Sequence, residues 1–473
     1  MGNVGISFGS PTSGQGFDVS TTVSAIVANL QAVETPWKNQ LTSLDAQDTA
    51  LTSIGTDLSS LSTALSSLYS FDGVLSEKEG SSSDNSVLTL TNATSAAVAG
   101  SHTIVVGQLA QTYSYASKAG AIASGDTLSG SLTINGQTIT ISDGTATASD
   151  GSTIPQNNTL ATLASYINEG NYGVQANAVT NAQGQSQLAL VSDTSGAGGS
   201  VKIDGSALTD STSNVTGFSF GQVQQGQDAQ FSVDGISTTS PSNTVTSAIS
   251  GVTMQLLDAA PDESVQVEIT NNNSEVETAV SNLVSAYNTV IGDLNTQEGN
   301  DSSGNPEPLF GNATIAMLQE QLQQAVNFTQ SSGGITSLSQ LGITASTSDD
   351  GTLTLDSSTL DSALNNNYQD AMNFFQAASS GTSFGDNLTT TLGGLSNSGP
   401  DGVIYLALQQ DSSQESTLNT DVTNENNTIS AEQTQLTTEL NEANYTLEEI
   451  PTELQSVNEL YSAITGYNES PQG

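Results

Sequence analysis

The sequence predicts an α+β multidomain protein: long coiled-coil-like terminal helices, a helical leg domain, and nested, inserted β-rich head domains. Three observations carry that prediction. Near the N-terminus, Val23, Leu30, Trp37, Leu44, Leu51, Leu58 and Leu65 recur at heptad spacing, with Ile26, Val33, Ile54, Leu61 and Leu68 filling the second seam position. Near the C-terminus, Leu440, Leu447, Leu454 and Tyr461 repeat in the same way, beside Leu436, Ala443, Ile450, Val457 and Ile464. Between Gly73 and Asn271 the pattern is instead short, alternating and rich in Gly, Ser and Thr. A sustained heptad makes an apolar stripe that a partner helix must cover, whereas alternation marks half-buried strands.

Residues 1–17 are Gly/Ser-rich and are expected to be mobile. Asp18 or Ser20 can cap a first helix reaching about Thr35, where Pro36 imposes a kink or a short break. The heptad phase survives the proline, so a second helix should continue to about Tyr69. Phe71-Asp72-Gly73 ends it. Strands follow at Val87–Leu90 and Thr103–Leu109, and Leu132–Ile141 is a hairpin around Asn135-Gly136. Thr159–Asn168 carries Leu160, Leu163, Ala164 and Ile167 on one helical face, and alternation at Val174, Ala176 and Ala178 and at Leu188 and Leu190 completes a ββαββ-like unit over 120–205. A second strand set spans Ala229–Val233, Val252–Leu257 and Val265–Ile269, with a turn at Asp234-Gly235. Helical spacing returns from Ser274, with Val276, Val280, Leu283, Tyr287, Val290 and Leu294 on one face. A helix is expected near Ala313–Phe328, a strand at Leu353–Leu355, and a helix capped by Asp356 with Leu360, Leu364, Tyr368, Met372 and Phe375 in line. A Gly/Ser/Asn segment, 378–401, then reads as a linker to the C-terminal helices.

Chain order implies nesting, because the two helical ends can pair only if the β-rich middle is an excursion. The expected divisions are a terminal coiled-coil segment at 1–40, a leg domain at 41–72 and 273–410, and a β-rich head domain at 73–119 and 206–272. An inserted outer head domain occupies 120–205 and a second terminal coiled-coil segment 411–473.

Charge narrows the function. The chain has four lysines (Lys38, Lys78, Lys118, Lys202), no arginine and a net charge of −44. Phosphate binding needs Lys and Arg, so nucleic acid is excluded as a partner, as are anionic membrane surfaces. No apolar run reaches the length of a membrane span, so no membrane insertion is expected. The N-terminus lacks the basic start and apolar core of a cleaved secretory signal. Cysteine is absent, which removes disulfides and thiol chemistry. His102 is the only histidine and sits on an expected strand, where a satisfied or exposed side chain is the favoured reading. The acidic loop Glu298–Glu307 does not have EF-hand spacing and reads as solvated. No catalytic, metal-binding or cofactor-binding residue is assigned, no cofactor is expected, and the chain does not read as an enzyme. The candidate site is an assembly surface: Val23, Leu30, Trp37, Leu44, Leu51, Leu58, Leu65, Leu440, Leu447, Ile450, Leu454, Val457, Tyr461 and Ile464.

Several segments together resemble the flagellar filament cap, or hook-associated protein 2, family. Gly16-Phe17-Asp18-Val19 with Glu34 and Pro36 is similar to its opening helix, and Ala99–Val106 with Gln108-Leu109-Ala110 to its first strand. Leu132–Ser192 resembles the insert shared with flagellins and hook proteins. Asp228–Gly235, Ser242–Val245 and Ile249–Thr253 form the most specific stretch, joined by Ala286-Tyr287-Asn288 and Asp350–Asp356. The departures are the missing basic residues, Trp37, and Pro451 in the last helical stretch. The resemblance implies a secreted, homo-oligomeric ring at the tip of the bacterial flagellar filament. Such a ring confines exported flagellin and lets it fold and polymerise in place, serving motility. Implied partners are further copies of the chain, flagellin, the hook-filament junction protein, and the flagellar type III export apparatus with its export chaperone. In some bacteria such caps also take part in cell adhesion. Other readings are another axial flagellar protein (flagellin or junction protein) and a secreted coiled-coil adhesin.

Overall fold

A computed structural model describes residues 17–118, 122–212, 215–348, 350–376 and 382–466. The mobile segment expected at 1–17 lies, apart from Phe17, outside these residues. The chain divides into two units: residues 1–70 with 277–473, and residues 71–276.

Helix α1 (Val19–Gln31) starts where Asp18 accepts a hydrogen bond from the Thr21 N–H. A single 3-10 turn (Ala32–Glu34) separates it from α2 (Thr35–Tyr69), which has Pro36 in its first turn. Pro is tolerated there because that N–H has no intrahelical acceptor. The break expected at Pro36 is therefore a helix start in continuous heptad phase.

The second unit holds two cores. Its strands are β1 (Lys78–Ser82), β2 (Leu88–Ala93), β3 (Gly100–Gln108), β4 (Thr112–Ser117), β5 (Ile122–Ala123), β6 (Leu128–Ile134) and β7 (Gln137–Thr140). After helix α3 (Leu160–Glu169) come β8 (Val174–Thr180), β9 (Gln185–Ser195), β10 (Ile203–Asp210), β11 (Val215–Phe218) and β12 (Phe220–Gln224). The last are β13 (Ala229–Val233), β14 (Ile236–Ser240), β15 (Thr244–Val245), β16 (Val252–Leu256) and β17 (Val265–Asn271). Sheet β1-β17-β3-β13-β14 and sheet β15-β16-β2 enclose Leu88, Ile104, Val106, Phe231, Met254 and Val267. Sheet β11-β10-β6-β7 and sheet β12-β4-β9-β5, with β8 paired to β9, enclose Leu132, Ile134, Leu163, Ile167, Leu188, Leu190 and Leu208.

Both expected turns have the geometry their sequences demand. Asn135 and Gly136 (φ 50° and 82°) join β6 to β7, and Asp234 and Gly235 (φ 52° and 81°) join β13 to β14. Two consecutive positive φ values match the right-handed twist of the strands they connect. The ββαββ reading needs one correction. Its two hairpins lie in different sheets, and each is completed by strands that lie outside 120–205 (β4, β11 and β12) or run across its end (β10).

The first unit resumes with α4 (Asn273–Gln297) and α5 (Ala313–Val326), then β18 (Ile343–Ala345), β19 (Leu353–Leu355) and α6 (Ser357–Phe375). The remaining helices are α7 (Phe384–Leu395) and α8 (Val403–Thr465). Asp356 caps α6 as expected, accepting from Ser358 and Thr359. The straight apolar line through Tyr368 and Met372 is corrected: Asn367 is non-helical (φ −139°, ψ 37°), and beyond it Ala371 and Phe374 are buried in their place, while Phe375 is buried as expected. The linker expected at 378–401 is corrected as well, because it contains α7. Ser383 and Asp386 close a capping box at its start, and Phe384, Leu388, Leu392 and Leu395 are buried. Phe384 stacks on Phe374 with ring centroids 5.3 Å apart. The expected set of C-terminal helices is one helix of 63 residues that runs through Pro451, about 95 Å long at 1.5 Å per residue.

Candidate assembly interface

Helices α1 and α2 pack along α8 within the first unit. The Phe17 N–H donates to Asn444 Oδ1 at 2.8 Å, and Asp48 meets Asp411, so the pairing is antiparallel. Glu34 is fully buried in the turn between α1 and α2, where Lys38 Nζ lies 2.6 Å from Oε2.

The heptad residues separate into three groups. Val23, Leu44, Leu51, Leu58 and Leu65 are buried within the subunit. Leu30, Trp37, Leu440, Leu447 and Ile450 are half-buried. Leu454, Val457, Tyr461 and Ile464 remain 45%, 60%, 60% and 76% exposed, and Leu460 beside them is exposed too. Most of the N-terminal stripe therefore packs against its own chain. The last turns of α8 present an apolar stripe that none of the described residues covers. Large exposed apolar patches on a soluble chain mark interaction surfaces.

Sequence reasoning missed the asparagines that fasten elements to one another. Asn288 on α4 donates to Leu353 O (2.8 Å) and accepts from Leu353 N–H (2.7 Å), pairing with the edge of β19 as a strand would. Asn243 does the same for both backbone groups of Ala110 (2.7 and 3.1 Å), and Asn168 for those of Ala176 (2.6 and 2.8 Å). One side-chain amide carries both a donor and an acceptor, so it satisfies two backbone groups at once. Only a long-range partner distinguishes such an asparagine from a solvated one, and a single sequence does not display the partner.

His102 and the acidic loop are both occupied by local structure. His102 Nδ1 lies 2.8 Å from Asp234 Oδ2, while Asp234 Oδ1 accepts from the Thr103 N–H, joining β3 to the β13–β14 turn. Hydrogen bonding from His102 and then from Thr103 holds the Asp234 carboxyl below its ordinary value. A cleft of about 450 Å³ opens beside this pair, lined also by Val98 and Ile236. In the acidic loop, Asp301 accepts from the N–H groups of Ser303 and Asn305 at 2.8 Å each, which lowers its pKa. Among the described residues no group of three metal-ligating side chains is assembled, and no helix is long and apolar enough to cross a membrane.

Residues 226–463 match the family profile of the C-terminus of flagellar hook-associated protein 2, and residues 15–113 match that of its N-terminus. The chain belongs to the flagellar hook-associated protein 2 family. It is similar to the A-type flagellar hook-associated protein 2 of Pseudomonas aeruginosa, at 27% identity over 388 residues, covering 76% of this chain and 78% of that one. It is also similar to the flagellar hook-associated protein 2 of Escherichia coli K12, at 26% identity over 411 residues, covering 82% of this chain and 86% of that one. The fold resembles the crystal structure of the D1-D2-D3 domains of the Escherichia coli flagellar cap protein, with a TM-score of 0.54 at 24% identity, covering 77% of this chain and 99% of that one. As a member of the family, this chain is a structural cap protein of the bacterial flagellar filament, exported to the filament tip.

Proposed function

We propose that the protein caps the filament as a closed ring of its own copies, and that the exposed stripe at the end of α8 is a contact surface of that assembly. The observation that carries this reading is the position of Leu454, Val457, Tyr461 and Ile464. They continue the heptad that Leu440, Leu447 and Ile450 follow, yet none of the described residues covers them. The ring confines exported flagellin and lets it fold and polymerise in place, so flagellin and the hook-filament junction protein are its partners. Before export the partners are the flagellar type III apparatus and an export chaperone. The work is mechanical and needs no catalysis. The divisions expected from the sequence serve it as terminal coiled-coil segments, leg and head.

The test is complementation of a strain lacking its own cap protein. The wild-type chain should restore filaments and motility. A Val457→Asp, Ile464→Asp double variant should be exported but leave flagellin monomer in the medium. Normal filaments from that variant would remove the α8 stripe from the assembly.

A further inference from the structure

The helical unit contains an arrangement that its charge composition makes unusual. Asp45 and Asp48 on α2 face Asp411 and Glu415 on α8, and Asp57 on α2 faces Asp293 on α4. These carboxyls lie at helix contacts. Asp411 is buried, and Asp48 Oδ1, Asp57 Oδ2 and Glu415 Oε1 are enclosed without a hydrogen-bond partner among the described residues. No cation answers them: no basic residue follows Lys202, and the one lysine in this unit, Lys38, is engaged with Glu34. On α7, which also packs on α2, Asp386 is bound by Ser383 and by the Tyr69 hydroxyl. Asn397, whose amide reaches Gly55 of α2, is neutral.

We propose that these carboxyl clusters form a proton-operated latch in the leg, clamping α8 and α4 onto α2 in mildly acid solution and loosening them as the solution approaches neutral pH. Two facing carboxylates repel when both are ionised and form a short, strong hydrogen bond when they share one proton. The directions of titration agree. Burial, with Asp293 adjacent, pushes Asp57 up to about 6, and burial raises Asp48, Asp411 and Glu415 as well. The folded chain therefore holds more protons than the unfolded chain between the ordinary value of 3.8 and about 6. Stability from these groups is present at the acid end of that window and is lost as pH rises through it. The capping aspartates behave oppositely. Asp18 and Asp356 are lowered, by hydrogen bonds led by Thr21 and by Ser358, so their contribution is lost only as pH falls below 3.8. Between these two sets of carboxyls it is the latch that responds between pH 4.5 and pH 7.5, and it does not depend on the cap reading.

The test uses the full chain. Melting temperature is measured from pH 4.5 to 7.5 for wild type, for Asp48→Asn and Asp57→Asn, and for Glu432→Gln, which removes an exposed charge from α8. Wild type and Glu432→Gln should both lose melting temperature as pH rises. The two Asn variants should lose less, ending about 3 °C or more above wild type at pH 7.5. Parallel curves for all four proteins overturn the proposal. Hydrogen exchange of the wild-type chain gives a reading that needs no variant. Corrected for intrinsic rates, amides in the first turns of α8 should exchange on the order of tenfold faster at pH 7.5 than at pH 5. Equal protection at the two pH values also overturns it.

Discussion

Changing Leu51 to Asp and Val457 to Asp introduces the same charge into two parts of one heptad system, with opposite expected consequences. Leu51 is wholly buried. Its loss leaves a cavity and an unpaired carboxylate, together about 4 kcal/mol, so the melting temperature of the helical unit should fall by about 10 °C or more. Val457 is 60% exposed, and a change at such a site shifts subunit stability by less than about 0.5 kcal/mol. Its effect is expected on assembly instead. Leu454, Val457, Leu460, Tyr461 and Ile464 keep between 45% and 76% of their surface in water. At about 2 kcal/mol for each fully buried side chain, covering all five contributes about 6 kcal/mol per helix. Val457 supplies about 1 kcal/mol of that, and the new carboxylate must also be desolvated, so association should weaken at least about tenfold. Sedimentation velocity with parallel thermal melts separates the two readouts. If Val457→Asp sediments as wild type wherever wild type assembles, the stripe is not in the contact. If it melts as low as Leu51→Asp, the stripe belongs to the subunit core.

Three further outcomes are expected. Tyr287 is buried, its hydroxyl has no hydrogen-bond partner among the described residues, and burial pushes its pKa up to about 12. Tyr287→Phe should therefore raise stability by about 1 kcal/mol, read by urea unfolding; a loss would reveal a hidden partner for the hydroxyl. Asn288→Ala strands both backbone groups of Leu353 and should cost about 2–3 kcal/mol by calorimetry, with an unchanged transition refuting its role as a fastener. Forty-four net negative charges repel between subunits, so raising salt to physiological strength, where the Debye length is about 8 Å, should shift the protein toward larger oligomers. Identical sedimentation in low and moderate salt would put the charge away from the contacts.

What could be read in the sequence depended on how each element declares itself. The α2 core, α3, α4 and the two Asx-Gly hairpins were legible because periodicity or turn chemistry is written into consecutive residues. Strand β1, Lys-Glu-Gly-Ser-Ser, has no apolar residue and is held by its register with β17. Helix α7 was hidden by three threonines and three glycines, although Phe384, Leu388, Leu392 and Leu395 carry a helical face. Propensity argued for a linker there, and tertiary packing of that face overrode it. Along the heptad stripes, spacing marked the apolar positions but could not say which stretch the chain covers with itself. That division depends on the antiparallel pairing of α8 with α1 and α2, a long-range property. Asn135 declares itself in the sequence as a turn residue, but its amide also donates to Tyr172 O and accepts from the Lys202 N–H, ties that only the fold displays.

The shortage of cations bears on why the far end of α8 should need a partner. An exposed helix is ordinarily supported by Glu and Lys four residues apart. Here that support comes from amides: Gln435 donates to Glu439 (2.7 Å), Asn444 to Glu448 (3.2 Å) and Gln455 to Glu459 (3.1 Å). Threonine hydroxyls at 417, 420, 423, 428, 434, 437 and 438 turn back onto the carbonyl four residues earlier. Such back-bonding slightly weakens a helix, and threonine and asparagine are poor helix formers. Pro451 removes one backbone hydrogen bond from the ladder. Local preferences alone do not sustain 63 residues of helix; packing must, and among the described residues it is plentiful at Ile404, Asp411 and Ile429 and sparse at Val457, Tyr461 and Ile464. Helix order at the end of α8 should therefore rise with assembly. Protection of amides 454–464 from hydrogen exchange should be low in the dilute subunit and high in the oligomer, and equal protection in both would separate helix formation from assembly.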